Sequence, residues 1–254
     1  MKKILFILLL LFATQAHAAA NLTIWPLKVS LSPKDKTSSV HLINKGPKPV
    51  KIQVYAKSWD MDGNGKFIEV DTGDFVFFPR LTSIEPNEDK AIRVGYNGNF
   101  PPLEKPYRLY FVELPPIKKP TQPDKNVSFG IQAVLKLSVP LFVMPTDKSP
   151  RPQIEITATD NLQVSIYNHG THNFLLTKGN VELFDNNGNS LFSKKIKVLQ
   201  RVLPKRRLII KVPIDDMPCN KAQAIEFKFN LGEQKAPDDE KIKRFSTQRC
   251  VPVM

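Results

Sequence analysis

Short apolar alternations recur along the chain, broken by proline, glycine and asparagine, and this period of two predicts β-strands in place of helices. Val50, Ile52, Val54 and Ala56 share one face, while Lys51, Gln53, Tyr55 and Lys57 share the other, the pattern of a sheet with one wet side. The same reading predicts strands at Leu22–Leu31, Ser38–Asn44, Val50–Trp59, Lys90–Tyr96, Tyr107–Leu114 and Val127–Val143. The run Pro145 to Pro152 then interrupts the pattern, because prolines at that density cannot continue a ladder. Beyond it, strands are predicted at Ile154–Ala158, Leu162–Asn168, Val181–Phe184, Ile196–Leu199, Leu208–Val212 and Ile225–Phe229, with a hairpin turn over Asp185 to Asn189. The reading is an all-β protein of two sandwich domains, 19–147 and 148–254, preceded by a separate N-terminal segment, 1–18.

That segment opens with the basic Met1-Lys2-Lys3 and continues as ten residues without a polar member, Ile4 to Ala13. The run is much shorter than the roughly 20 residues that span a bilayer, and it ends in Ala16-His17-Ala18, the small-x-small pattern of signal-peptidase sites. We expect a cleaved signal peptide, cut after Ala18 with Ala20 as second choice, and a mature protein without membrane insertion in an oxidising compartment. The cysteines, Cys219 and Cys250, are expected to pair there, two buried free thiols being the other reading. The formal charge of +13 drops by two to +11 when Lys2 and Lys3 are removed. The lysines are scattered singly and no nucleic-acid motif accompanies them, so the charge points to acidic protein partners and not to nucleic acid.

Between Asn126 and Val143, every second residue from Val127 to Val143 is apolar: Val127, Phe129, Ile131, Ala133, Leu135, Leu137, Val139, Leu141 and Val143. A strand of ordinary length has about 5 or 6 residues, so a row this long needs extra apolar surface to cover it. Two readings are open: a strand shared between the sheets of its own sandwich, or one donated to a partner's sheet.

The order of several short pieces makes the chain resemble the periplasmic pilus chaperones of the chaperone-usher pathway, in a divergent branch. The pieces are Ile24-Trp25-Pro26-Leu27-Lys28-Val29, Leu42-Ile43-Asn44, Trp59 before a Gly-rich turn, Phe78-Pro79-Arg80 and Ile84-Glu85-Pro86 leading to Ile92-Arg93-Val94. Tyr107-Arg108-Leu109, Glu113-Leu114-Pro115-Pro116 and Leu141-Phe142-Val143 before Pro145 complete them. The resemblance implies two immunoglobulin-like sandwiches in a boomerang with a cleft between them. It implies pilus subunits and an outer-membrane usher as partners, with self-association open to the free protein. It also implies a donor row of Val127, Phe129, Ile131, Ala133, Leu135 and Leu137. Lys28 stands where the family has an arginine that holds the subunit's C-terminal carboxylate. The family's second cation falls where this chain has Pro140, and Arg108 is the substitute; Lys136 is the weaker choice, being on the face opposite the donor row.

Other motifs lead elsewhere. Asp60-x-Asp62-x-Asn64-Gly65 begins like a calcium loop, but its twelfth position is Asp71 in place of a bidentate Glu, so a hairpin turn is expected. His169 and His172 read as surface residues of a turn, with no metal set around them. No nucleophile, nucleotide or zinc-protease motif occurs, so neither an enzyme nor a cofactor is expected. The competing readings are an exported immunoglobulin-like adhesion or binding module, which would bind through end loops, and an exported enzyme without a recognisable motif.

Overall fold

The alternating stretches fold as strands in the computed structural model, which describes residues 21–62, 66–115, 134–146, 154–159, 163–211, 221–232 and 240–246. Among these residues every regular element is a strand. In the first half they are β1 (Leu22–Trp25), β2 (Val29–Leu31), β3 (Thr37–Asn44), β4 (Val50–Met61), β5 (Phe67–Asp71), β6 (Phe75–Phe78), β7 (Leu81–Ile84), β8 (Asp89–Tyr96), β9 (Lys105–Leu114) and β10 (Lys136–Val143). One sheet runs β1-β3-β8-β6; the other runs β2-β10-β9-β4-β5, with β7 also on β4.

The single strand expected over Leu22–Leu31 is two strands in different sheets. β1 pairs with β3, β2 lies parallel to β10, and Pro26 between them has no N–H with which to continue the first ladder. The two sheets close over Leu31, Leu42, Ile52, Val54, Ile92, Leu109 and Leu141, all fully buried. Leu42 and Ile92 belong to the first sheet and the others to the second, so the period-two pattern supplies both inner faces.

The second half contains β11 (Ile154–Thr159), β12 (Gln163–Asn168), β13 (Phe174–Phe184), β14 (Ser190–Val202), β15 (Arg207–Lys211), β16 (Ala224–Gly232) and β17 (Glu240–Ser246). The sheets β11-β12-β15 and β14-β13-β16-β17 enclose Val164, Ile166, Val181, Leu183, Val202, Phe227 and Phe229. The expected turn joins β13 to β14: Asp185 Oδ1 accepts from the Asn187 and Asn189 amides at 2.8 Å, and Gly188 sits at φ 81°, where a side chain would be strained.

The expected hairpin after Trp59 is the β4–β5 connection, in which the Asp62 amide donates to the Lys66 carbonyl at 2.9 Å. Asp60 is held by an arginine of the second half, and no metal-binding group occurs among the described residues. His172, expected on the surface, is buried, its Nδ1 lying 2.9 Å from the Thr171 hydroxyl. The signal segment 1–18, the boundary between 147 and 148, Cys219 and Cys250 lie outside the described residues.

Candidate functional site

The outer face of the β2-β10-β9-β4-β5 sheet is polar at one end and covered at the other. On β4 the outward phase runs Lys51, Gln53, Tyr55, Lys57 and then Trp59 and Met61, and those last two are buried in the core of the second sandwich. Phe142, outward on β10, joins them, with the Arg201 guanidinium 5.0 Å from its ring centroid. The second sandwich therefore packs on one end of this face and leaves the other end uncovered.

A row of side chains crosses the uncovered part of the face. Asp71 stands opposite Lys57, Lys57 opposite Arg108 and Arg108 opposite Pro140. Val29 pairs in parallel with Leu141, so the preceding residue, Lys28, continues the row beyond Pro140 on the exposed face. With strands about 4.8 Å apart, Lys28 and Arg108 flank Pro140 roughly 10 Å apart. The row thus places Lys28 and Arg108, both selected from the sequence, on either side of Pro140.

Arg108 is half-buried and its Nε lies 3.5 Å from Glu69 Oε1 without forming a hydrogen bond. Glu69 is instead held by Tyr110, whose hydroxyl donates to both carboxylate oxygens at 2.6 and 2.7 Å. Burial, and then the neighbouring Glu69, push the Tyr110 phenol up to about 12. Tyr55 stacks on Tyr110 at 5.1 Å, and Lys136 Nζ lies 4.4 Å from the same ring centroid. Lys136 therefore shares the face of Arg108 and points away from Leu137, as its parity requires. Lys57, next in the row, is paired with Asp71 at 3.0 Å.

Lys28 is exposed in the crossing between β1 and β2, within electrostatic reach of Glu104. Glu104 is 5% exposed and accepts from the Asn173 side chain, whose carbonyl oxygen in turn accepts from Arg201 at 2.7 Å. Burial pushes the Glu104 carboxyl up, and outweighs the opposing pull of Asn173, Arg201 and Lys28. Neither Glu69 nor Glu104 is marked in the sequence, because Glu69 reaches its partner through the order of the strands and Glu104 through the packing of one sandwich on the other. The change from Lys57 to Trp59 and Met61 within one phase of β4 is a sequence signal that the wet face becomes covered.

The apolar row of β10 shows a gradient. Val143 and Leu141 are fully buried, Val139 is 2% exposed, and Leu137 and Leu135 are half-buried. Leu137 still packs against the core of its own sandwich, and the ladder to β9 continues through the Glu113 amide donating to the Leu135 carbonyl at 2.8 Å. Val134, of opposite parity, is exposed. Val127, Phe129, Ile131 and Ala133 lie outside the described residues.

Comparison with known proteins fits this architecture. The chain matches the pili and flagellar-assembly chaperone family, PapD N-terminal domain, over residues 21–148. No curated protein matches it in sequence. Among solved structures, the class 5 fimbriae chaperone CfaA is similar with a TM-score of 0.61 at 18% identity, over 92% of this chain and 100% of that one. A chain of the CsuC-CsuE chaperone-tip adhesion subunit pre-assembly complex, from archaic chaperone-usher Csu pili of Acinetobacter baumannii, gives 0.61 at 16% identity, over 89% and 98%. The Salmonella enterica SafA pilin in complex with the SafB chaperone gives 0.59 at 16% identity, over 91% and 98%.

Proposed function

Because this chain belongs to the pili and flagellar-assembly chaperone family, we propose that it folds and caps pilus subunits by donor-strand complementation and delivers them to an outer-membrane usher. The observation that carries this reading is the gradient along β10: one apolar row is buried in its own sandwich at Val139, Leu141 and Val143 and loses that cover towards Leu135. The same phase continues in sequence through Ala133, Ile131, Phe129 and Val127, which would enter a subunit lacking its last strand. Each large side chain so buried contributes about 1.5 to 3 kcal/mol, enough in a row to hold an incomplete sheet. That solved relatives include a pilin–chaperone complex and a chaperone–tip subunit complex supports subunits as the partner.

Lys28 and Arg108 anchor the subunit's C-terminal carboxylate, Arg108 offering a fork and Lys28 a point charge. The work takes place in the periplasm after signal cleavage, requires no cofactor or nucleotide hydrolysis, and is helped by a Cys219–Cys250 bridge in the second sandwich. Co-expression with a candidate subunit, followed by isolation of a one-to-one periplasmic complex, tests the reading. Lys28→Ala or Arg108→Ala should sharply reduce that complex while the chaperone stays folded; normal capture by both variants would refute the anchor.

A further inference from the structure

The outer face of the β2-β10-β9-β4-β5 sheet already holds a carboxylate beside Arg108. Glu69 comes from β5, the edge strand, and approaches Arg108 from the side of Nε, at 3.5 Å. Its two oxygens each accept from Tyr110, so Glu69 keeps hydrogen-bond partners whether or not it interacts with the guanidinium. Arg108 Nε, by contrast, is shielded from water with no hydrogen bond of its own. Nε faces Glu69 and is closed to a second carboxylate, whereas the half-exposed guanidinium leaves its terminal nitrogens open to one beside the resident charge.

We propose that Glu69 is an internal stand-in for the subunit's C-terminal carboxylate: it occupies Arg108 in the free chaperone and yields it to the incoming subunit, while Tyr110 retains Glu69 after the exchange. The inference rests on the anchor reading above and adds a resident competitor to it. The resident anion lowers affinity for a second anion at the same cation and keeps subunit capture reversible, which a protein that must pass its cargo onward requires. Glu104 does not play this part at Lys28, because it is 5% exposed and engaged by Asn173 across the junction of the two sandwiches.

The charge and hydrogen-bond roles separate in two variants. Glu69→Gln removes the charge but keeps an acceptor for Tyr110, and Tyr110→Phe removes the hydroxyl that holds Glu69 while keeping the ring. The probes are a synthetic peptide of alternating Thr and Val ending in a free carboxylate, and the same peptide as its C-terminal amide. Relief of like-charge repulsion should make Glu69→Gln bind the free acid about tenfold more tightly at low salt, less so at high salt, with the amide unchanged. Tyr110→Phe should bind the free acid more weakly, since Glu69 is then left to Arg108 alone. A purely structural role would move both variants in the same direction. Weaker or unchanged binding of the acid by Glu69→Gln, or no binding at all, overturns the stand-in. If Arg108→Ala binds acid and amide as the unmodified protein does, the anchor itself is wrong; if Arg108→Ala loses the acid and Glu69→Gln gains nothing, only the stand-in fails.

Discussion

Asn44 and Asn168, both fully buried, close the same hydrogen-bonded clamp at strand ends in the two sandwiches. Asn44, the last residue of β3, donates from Nδ2 to the Lys48 and Ile84 carbonyls at 2.8 and 3.0 Å and accepts from the Gly46 amide at 2.9 Å. Asn168, the last residue of β12, donates to the His172 and Val202 carbonyls at 2.7 and 3.1 Å and accepts from the Gly170 amide at 2.9 Å. Each clamp satisfies three backbone groups that the ladder cannot reach. Asn44→Asp or Asn168→Asp removes both donors and leaves carbonyls facing an anion, at a cost of about 2 to 5 kcal/mol. Chemical denaturation should report a loss of that size for either variant; a change below about 0.5 kcal/mol would show that water replaces the clamp.

The clamps show how much of the fold was legible. Asn44-Lys45-Gly46 and Asn168-His169-Gly170 share a spacing, each at the end of an alternating stretch, yet only the structure shows both asparagines turned inward. Alternation located the long strands, because burial on one face is what alternation records. It missed β5, where Phe67, Ile68, Glu69, Val70 and Asp71 are all exposed and no face is selected. It joined β1 to β2, because the phase of Leu22 and Ile24 does not reveal that the chain changes sheets at Pro26. At the site, Lys28 and Arg108 follow from the resemblance, whereas Glu69 and Tyr110 depend on which strands lie side by side, a property of register, and Glu104 on the packing of one sandwich against the other.

Asp60 and Arg206 join the two halves by a two-point fork, with Nε to Oδ1 at 2.7 Å and a terminal nitrogen to Oδ2 at 2.6 Å. The Arg206 hydrogen bonds hold the Asp60 carboxyl below its usual range, against the opposing effect of burial. A depressed carboxyl contributes stability that is present above its unfolded value, about 3.9, and lost as the pH falls through the folded value. Comparing unmodified protein with Asp60→Asn from about pH 7 down to about pH 2 should show a stability gap that closes in acid. A gap that widens in acid contradicts the assignment. Because both groups are substantially exposed, the gap at neutral pH should be small, and smaller still at high salt.

Gly179 on β13 lies directly opposite Phe229 on β16, and a Cβ there would meet the phenyl Cε1 at 3.0 Å and Cδ1 at 3.1 Å. Phe229 is fully buried and stacks at 6.4 Å on Phe227, so its ring has little room to withdraw. Gly179→Ala should destabilise the second sandwich by about 1 to 3 kcal/mol, as overpacking does, and Gly179→Val by more. Thermal unfolding of the two variants measures this; a more stable Gly179→Ala would mean that the ring yields and the gain in backbone rigidity prevails.

The β10 gradient makes one substitution have opposite consequences at two positions of the same phase. Leu141 is fully buried among Val29, Tyr107 and Leu109, so Leu141→Asp places an unpaired charge in the core and should unfold the first sandwich. Leu135 is half-buried, just before β10, so Leu135→Asp should leave the Tm within a few degrees. If the row beyond it enters a subunit, that folded variant should nevertheless fail to yield subunit complexes, and the subunit should aggregate or be degraded with its edge and core uncovered. Lys136→Ala is the matched control: its side chain lies over Tyr110 on the other face, and its loss should reduce complexes much less. Circular dichroism melts and co-purification from the periplasm separate the outcomes. A folded Leu135→Asp that captures subunit normally would confine the row to its own sandwich, and an unfolded one would mean that Leu135 belongs to the same core as Leu141.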